Sequence, residues 1–444
     1  MIEVSENIES YIKSVFGDDF FKRYKEFIES DYIPYIRMSG TESEQAETIE
    51  RLKHYEVELE KVANVPNAYK VLAGGSVIGK TLEFTLGKYY IQSLSSMIPP
   101  LILEPSYSDM TLDMCAAPGS KATQLAQMMG NTGILYVNES NVNRTKSLAH
   151  NLDKLNIINS GMIISKGEWL SKHFDSCFDK ILVDAPCTGL GIVQKKQEVS
   201  KWWNTNHALR LSETQMKLLV SAIKSLKVGG EIVYSTCTLT LEENEFLINR
   251  ILKKYPVELI DIELPVKSHP GFTSYGDEKL SPELAKTRRI IPWEINSEGF
   301  FIAKLKKVGE TTAPVKAEIK QSQLNFVKWN HKIMKSYIEE LSNWYGIPME
   351  MFNKYKYLVK KNEIHFIDAD WNAENINLFN RLGLKLGKID KNGVVVLHTL
   401  ALQVFQKHIS ENIIELTDKE KLDIYLSGGI IKSMTEIEPK GRKA

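Results

Sequence analysis

LDMCAAPGSK (Leu112–Lys121) joins a short apolar run to a loop of small residues, and the loop opens into a helical stretch, SKATQLAQMM. Small residues let backbone approach a ligand closely, and the N-terminus of the following helix offers unpaired N–H groups. Twenty residues after Gly119, at the end of the next strand-like run, stands Glu139. A carboxylate there can hold both hydroxyls of a ribose in a nucleoside cofactor. The loop lacks the third glycine of a dinucleotide fingerprint, and the chain has no GKS or GKT, so S-adenosylmethionine suits it better than NAD or ATP. The plain alternative is a tight strand-to-helix turn followed by an exposed glutamate.

Outward from this loop, strand-like and helical runs alternate from Leu112 to about Lys307. TLDMC, GILYVN, GMIIS, FDKILVD and GEIVYST are separated by SKATQLAQMM, NRTKSLAHNLDKL and SETQMKLLVSAIKSLK. This pattern predicts an α/β fold with a doubly wound, mainly parallel sheet. ELIDIEL and GFFIAKL lack a long helix between them, which suggests an antiparallel end to the sheet. Residues 1–100 read as a small α+β segment: FGDDFFKRYKEFIES and ETIERLKHY carry helical stripes, and KTLEFTLGKYYIQSLSSMIPP is expected to stop at Pro99–Pro100. The catalytic stretch is drawn as 101–308, a polar linker as 309–318, and a smaller α+β module as 319–444.

Composition limits the function classes. The 444 residues carry 56 Lys+Arg and 56 Asp+Glu with 43% hydrophobic residues, which excludes a disordered chain and a grossly basic nucleic-acid coat. No apolar run reaches the roughly 18 residues of a membrane span. The four cysteines, Cys115, Cys177, Cys187 and Cys237, form no CxxC pair. A reducing, cytoplasmic setting and a chain without a metal are therefore expected.

DAPCTG (Asp184–Gly189) and YSTCTL (Tyr234–Leu239) each place a cysteine just past a strand whose end faces the cofactor crevice. A lone cysteine is usually a small buried hydrophobe, and Cys177 is read that way. Two at equivalent strand ends suggest thiol chemistry. C5 of a pyrimidine is a poor nucleophile, but thiolate addition at C6 makes C5 enamine-like. A second group must then remove the C5 proton so that the thiol can leave. A carboxyl at the N3 side of the base would favour the addition, and Asp184 lies three residues before Cys187. Spacing does not say which cysteine attacks.

With these motifs together, the chain resembles the RNA cytosine-5-methyltransferases of the NOP/SUN and RsmB/RsmF group, nearest the RsmF-like branch. The resemblance rests on Tyr90-Ile91-Gln92, Ser95-Ser96-Met97, CAAPGSK, NES (Asn138–Ser140), DAPCTG, KWW near Lys201, YSTCTLTLEENE and GFFIAKLKK, all in one order. It implies a class I, Rossmann-like S-adenosylmethionine-dependent methyltransferase fold. Cys237 would be the nucleophile, and Cys187 would assist proton removal or product release. Asp184 and Lys121 would contact the cytosine, with Asp184 also near the cofactor. Cys115, Ala116, Ala117, Pro118, Gly119, Ser120 and Lys121 would cradle the methionine part of S-adenosylmethionine, and Glu139 would hold its ribose. The family usually has an Asp after the third strand for the adenine amino group; here Lys166 aligns with it, and a lysine cannot accept that bond.

RLGLKLGKIDKNGVVVLHTLAL and LTDKEKLDIYLSGG resemble a PUA-like RNA-binding module. Residues 311–444 hold 20 Lys+Arg against 16 Asp+Glu, a net +4. The run Lys354, Tyr355, Lys356, Tyr357, Lys360 and Lys361 offers phosphates and bases a surface, or is a solvated face with buried tyrosines; charge alone favours the latter. The expected partner is RNA, ribosomal before transfer, and a monomer is expected. A non-catalytic RNA-binding or assembly factor is the alternative that Lys166 supports and the cysteine pair opposes. A DNA or small-molecule methyltransferase ranks below both.

Overall fold

In the computed structural model, which describes residues 4–315, 325–372, 376–416, 418–427, 429 and 431, the apolar runs pair as a mixed central sheet. Met110–Asp113 (β1), Ile134–Asn138 (β2), Ser160–Ile163 (β3), Phe178–Asp184 (β4) and Leu226–Thr236 (β5) are parallel, in the order β3–β2–β1–β4–β5. Their central residues, such as Leu135, Val137, Ile181, Leu182, Ile232 and Val233, are fully buried. That is the signature of strands covered on both faces. The order reverses between β1 and β4, so the two strands open a crevice at their carboxyl ends. Phe300–Lys307 (β6) runs antiparallel beside β5, and Val257–Ile260 runs antiparallel beside β6. The antiparallel end of the sheet is thus present, and the fold is the Rossmann-like α/β fold of S-adenosylmethionine-dependent methyltransferases.

Helices Ser120–Met128, Val142–Lys154 and Thr205–Ser225 link the strands. Side-chain oxygens cap two of them: Asn141 accepts from Asn143 and Arg144 N–H groups, and Asn204 from His207.

The N-terminal residues form two helices, Glu6–Phe16 and Asp18–Glu29, and a four-stranded sheet that includes Tyr35–Met38 and Tyr89–Ile91. The Pro-Pro stop is corrected: helix Leu94–Leu103 runs through Pro99 and Pro100. A proline leaves the carbonyl four residues back without its N–H partner. Here the Gln92 side-chain amide donates to the Ser96 carbonyl at 3.1 Å, taking the place of the missing Pro100 N–H.

Two compact units result, Met1–Asn325 with Asp370–Leu384, and Phe326–Ala369 with Lys385–Ala444. The N-terminal residues and the central sheet share the first. Residues 370–384, which lie within the stretch expected as the C-terminal module, join it too. Phe379–Leu382 adds antiparallel to β3, Trp371 stacks on Tyr136 at 5.4 Å, and Arg381 pairs with Asp153. The second unit holds a four-stranded sheet of Tyr355–Lys360, Glu363–Asp368, Leu384–Ile389 and Val395–Leu397. Tyr355 and Tyr357 are buried there, Tyr355 edge-on to Phe366, so the interleaved basic run is a solvated face over buried tyrosines. Among the described residues no helix is long and apolar enough to cross a membrane.

Candidate active site

A cavity of about 310 Å³ opens at the crevice between β1 and β4. Most of the residues singled out from sequence line it: Cys115, Ala116, Ala117, Pro118, Ser120, Lys121, Asp184 and Cys237. Gly119 does not, but its role is visible. Its φ of +113° turns the loop into helix Ser120–Met128, and an added Cβ would sit 3.2 Å from Leu148 Cδ1 and 3.3 Å from Asn151 Cβ. The loop is held from outside the cavity. Ala116 N–H donates to the Asn138 carbonyl at 2.8 Å, and the Asn151 amide donates to the Pro118 carbonyl at 2.8 Å.

Asp184 ends β4 and gathers two donors. Lys121 Nζ lies 2.8 Å from Oδ2, and Ser235 Oγ donates to Oδ1 at 2.7 Å. Lys121 also donates to Ser96 Oγ at 2.8 Å. Burial opposes a charge on Lys121, but the Asp184 carboxylate outweighs it and raises the pKa, so the amine stays protonated.

The Sγ atoms of Cys187 and Cys237 are 3.2 Å apart. The hydrogen bond to Cys237, with burial second, pushes the Cys187 thiol well above its ordinary value. Cys187 is therefore held as the thiol and can donate its S–H to the Cys237 sulfur. Burial, followed by the Asp113 charge, also keeps Cys115 a thiol. Cys177 packs away from the site, its Sγ 3.3 Å from Met110 Sδ.

Glu139 does not line the cavity. It is buried behind it, with Oε1 accepting from the Asn141 N–H at 2.8 Å and Oε2 3.2 Å from the half-exposed Arg144, which does line it. Lys166 is exposed, its Nζ 4.9 Å from the Trp169 ring, and is also absent from the lining.

Sequence reading passed over several lining residues: Asp113, Arg144, Lys195, Glu298 and Phe300. Asp113 is 1% exposed, and neither carboxylate oxygen makes a well-formed hydrogen bond, the Cys115 backbone N–H giving its charge only weak support. Burial, then the neighbouring Asp184 charge, pushes its pKa up to about 7 against the opposing charge of Lys121. The signal was available, since Asp113 ends β1 as Asp184 ends the adjacent β4. Arg37, in strand Tyr35–Met38, is buried and ties the N-terminal sheet to the start of helix Ser120–Met128. It donates to the Ser120 carbonyl at 2.8 Å and to Thr123 Oγ1 at 2.9 Å.

A Rossmann-like sheet with a small-residue loop at its switch point, and acids and thiols at the neighbouring strand ends, defines a class I methyltransferase. Residues 100–306 match the family described as 16S rRNA methyltransferase RsmB/F. The ribosomal RNA small subunit methyltransferase F of Shewanella piezotolerans is 33% identical over 371 residues, 82% of this chain and 75% of that protein. A tRNA (cytosine(49)-C(5))-methyltransferase of Pyrococcus abyssi is 37% identical over 52% of this chain and 73% of its own length. A human 28S rRNA (cytosine(4447)-C(5))-methyltransferase is 36% identical, with this chain spanning 36% of its length. The solved structure of a methyltransferase homolog from Pyrococcus horikoshii superposes with a TM-score of 0.61 at 31% identity, over 69% of this chain and 96% of that one. The chain belongs to the RsmB/RsmF family of RNA cytosine-5-methyltransferases.

Proposed function

We propose that this protein methylates C5 of cytidine in structured RNA, with ribosomal RNA as the first substrate class and transfer RNA as the second. The observation that carries the proposal is the 3.2 Å approach of Cys187, which does not itself line the cavity, to Cys237, which lines it together with the Asp184–Lys121 pair. Ribosomal RNA comes first because the relative named for it shares 82% of this chain, and the transfer-RNA relative 52%. The PUA-like reading of the C-terminal residues adds a second RNA contact, and the boundaries at 100, 308 and 318 remain part of this proposal.

The residues present fit S-adenosylmethionine. Asp113, buried without a well-formed hydrogen bond, would hold the ammonium of the methionine part, a cation that relieves its desolvation. The Cys115–Lys121 loop would cradle that part, and Glu139 would take the ribose hydroxyls with the oxygen now paired to Arg144. When bound, this cofactor supplies an electrophilic methyl group. Cys237 adds through sulfur to C6 of a cytosine brought out of its stack, and the C5–C6 π electrons move toward N3. Lys121 and Asp184 steady the base as that charge develops. Addition leaves C5 carbanion-like, the nucleophile that methylation needs. Loss of the C5 proton then returns the electron pair and expels the Cys237 sulfur, with Cys187 giving its S–H proton to that departing sulfur and taking the C5 proton in exchange.

The test is incubation with methyl-labelled S-adenosylmethionine and unmodified small-subunit rRNA, assembled subunits or tRNA. Label should enter cytosine of one RNA. Cys237→Ala should abolish it, and Cys187→Ala should accumulate a covalent protein–RNA adduct. Absence of label from all three RNAs with folded protein overturns the reading, and an adduct in Cys237→Ala but not in Cys187→Ala reverses the two roles.

A further inference from the structure

We propose that Glu243 is a positioning residue for Cys187: it fixes the loop that carries this thiol, while Cys237 keeps further anchors of its own. The inference rests on the two-cysteine reading above and extends it to a residue that does not line the cavity.

Glu243 is fully buried, and among the described residues no Lys, Arg or His lies within ion-pair distance of it. Its carboxylate is met by donors alone. Thr188 N–H donates to Oε1 at 2.9 Å, and Gln215 Nε2 donates to the same oxygen at 2.9 Å. Thr240 Oγ1 donates to Oε2 at 2.8 Å, and the Thr188 hydroxyl also reaches Oε2. A buried carboxylate without a cation is costly, and burial pushes its pKa up. An apolar side chain would fill the same space without that cost, so the arrangement is explained by what its bonds hold.

Those bonds bear mainly on the loop of Cys187, and the one from Thr240 reaches the segment that follows Cys237. Thr188 follows Cys187 directly, and both its N–H and its hydroxyl end on Glu243. Gln215, bonded to Glu243, also donates to the Pro186 carbonyl at 2.8 Å, on the other side of Cys187. Cys237 has anchors of its own beside the 3.0 Å contact between the Thr188 and Thr238 hydroxyls. Its carbonyl accepts from Gly191 N–H at 3.0 Å. Asn244 accepts from Thr236 Oγ1 at 2.6 Å and donates to the Thr238 carbonyl at 3.1 Å, clamping both neighbours of Cys237. Loss of Glu243 therefore loosens the Cys187 loop more than the segment that carries the attacking sulfur, which Gly191 and Asn244 still hold.

Removing Glu243 should accordingly reproduce the loss of Cys187, not the loss of Cys237. With full-length protein and the RNA that accepts label, Glu243→Ala should lower turnover and raise the steady-state fraction of protein–RNA adduct about tenfold over wild type. Cofactor affinity, measured by calorimetry, should stay within about twofold. Glu243→Gln, which keeps an oxygen for the Thr188 N–H, should restore most of the turnover and lower the adduct. Thr188→Val removes the hydroxyl bonds to Glu243 and Thr238 but keeps the Thr188 N–H bond to Glu243, and it should raise the adduct in the same direction, so it reads the link if Glu243→Ala does not fold. Wild-type adduct levels in folded Glu243→Ala or Thr188→Val, while Cys187→Ala traps RNA, overturn this inference alone. Failure of Cys187→Ala to trap RNA overturns the two-cysteine reading and this inference with it.

Discussion

Asp113 carries a pH dependence whose sign follows from its environment. Its pKa is about 7 in the folded chain, above the ordinary carboxylate range. The folded state thus holds this proton more tightly than the unfolded state does. The resulting penalty is absent well below pH 4, grows as the unfolded chain ionises, and is complete above pH 7 at ~4 kcal/mol. Asp113→Asn removes it. Without cofactor, the variant's melting temperature should exceed that of the wild type by more at pH 8 than at pH 5. The same substitution should weaken S-adenosylmethionine binding, because the neutral amide no longer attracts an ammonium. A melting difference that does not change with pH would show that Asp113 is not the titrating group. At this scale the cysteines, Asp184 and Lys121 were legible from their motifs. Asp113 lay in the quoted stretch but was passed over, because its importance comes from two carboxylate oxygens without well-formed hydrogen bonds, which only packing reveals.

At the scale of elements, the site depends on three backbone segments meeting without side chains between them. Gly191 N–H donates to the Cys237 carbonyl at 3.0 Å, and Gly299 N–H donates to the Gly191 carbonyl at 2.9 Å. An added Cβ at Gly191 would lie 2.3 Å from the Gly299 carbonyl oxygen and 2.8 Å from that of Cys237. Both are backbone atoms, so the segments must separate. Gly191→Ala should cost about 2–3 kcal/mol in chemical denaturation and lower turnover more than cofactor affinity. Retained stability with normal turnover would mean that the junction gives easily. Helices Glu6–Phe16 and Asp18–Glu29 buttress this junction. The Tyr24 hydroxyl donates to the Leu190 carbonyl at 2.8 Å, and the Tyr11 hydroxyl accepts from the Leu241 N–H at 2.8 Å. Periodicity predicted the second helix, but nothing local tells where a helix docks. The passage of helix Leu94–Leu103 through two prolines was illegible for a related reason, since Gln92 relieves it from outside the helix.

At the scale of the whole molecule, the first compact unit takes a strand from far along the chain. Phe379 lies edge-on to Tyr136 at 4.9 Å, Trp371 stacks on the same ring, and Arg381 pairs with Asp153. A chain ending at residue 325 would lose these contacts and bare the edge of β3. Its melting temperature should fall on the order of 10 °C below that of the same unit in the full chain, or it should aggregate. Equal melting would show that residues 370–384 add nothing to this unit. By itself the sequence determined the doubly wound sheet, its antiparallel end, and the position of the small-residue loop and of Cys187 and Cys237 just past strand ends, because strand–helix alternation and motif order are local properties of the chain. Only the tertiary structure decided that Cys187 meets Cys237, that the Glu243 carboxylate gathers the Thr188 and Thr240 donors of their two segments, that Arg144 pairs with Glu139, and that residues 370–384 complete the first sheet. Apart from the Arg144–Glu139 and Thr240–Glu243 pairs, these are contacts between residues dozens to hundreds of positions apart, set by packing and by the pairing of buried polar groups, and no local pattern encodes them.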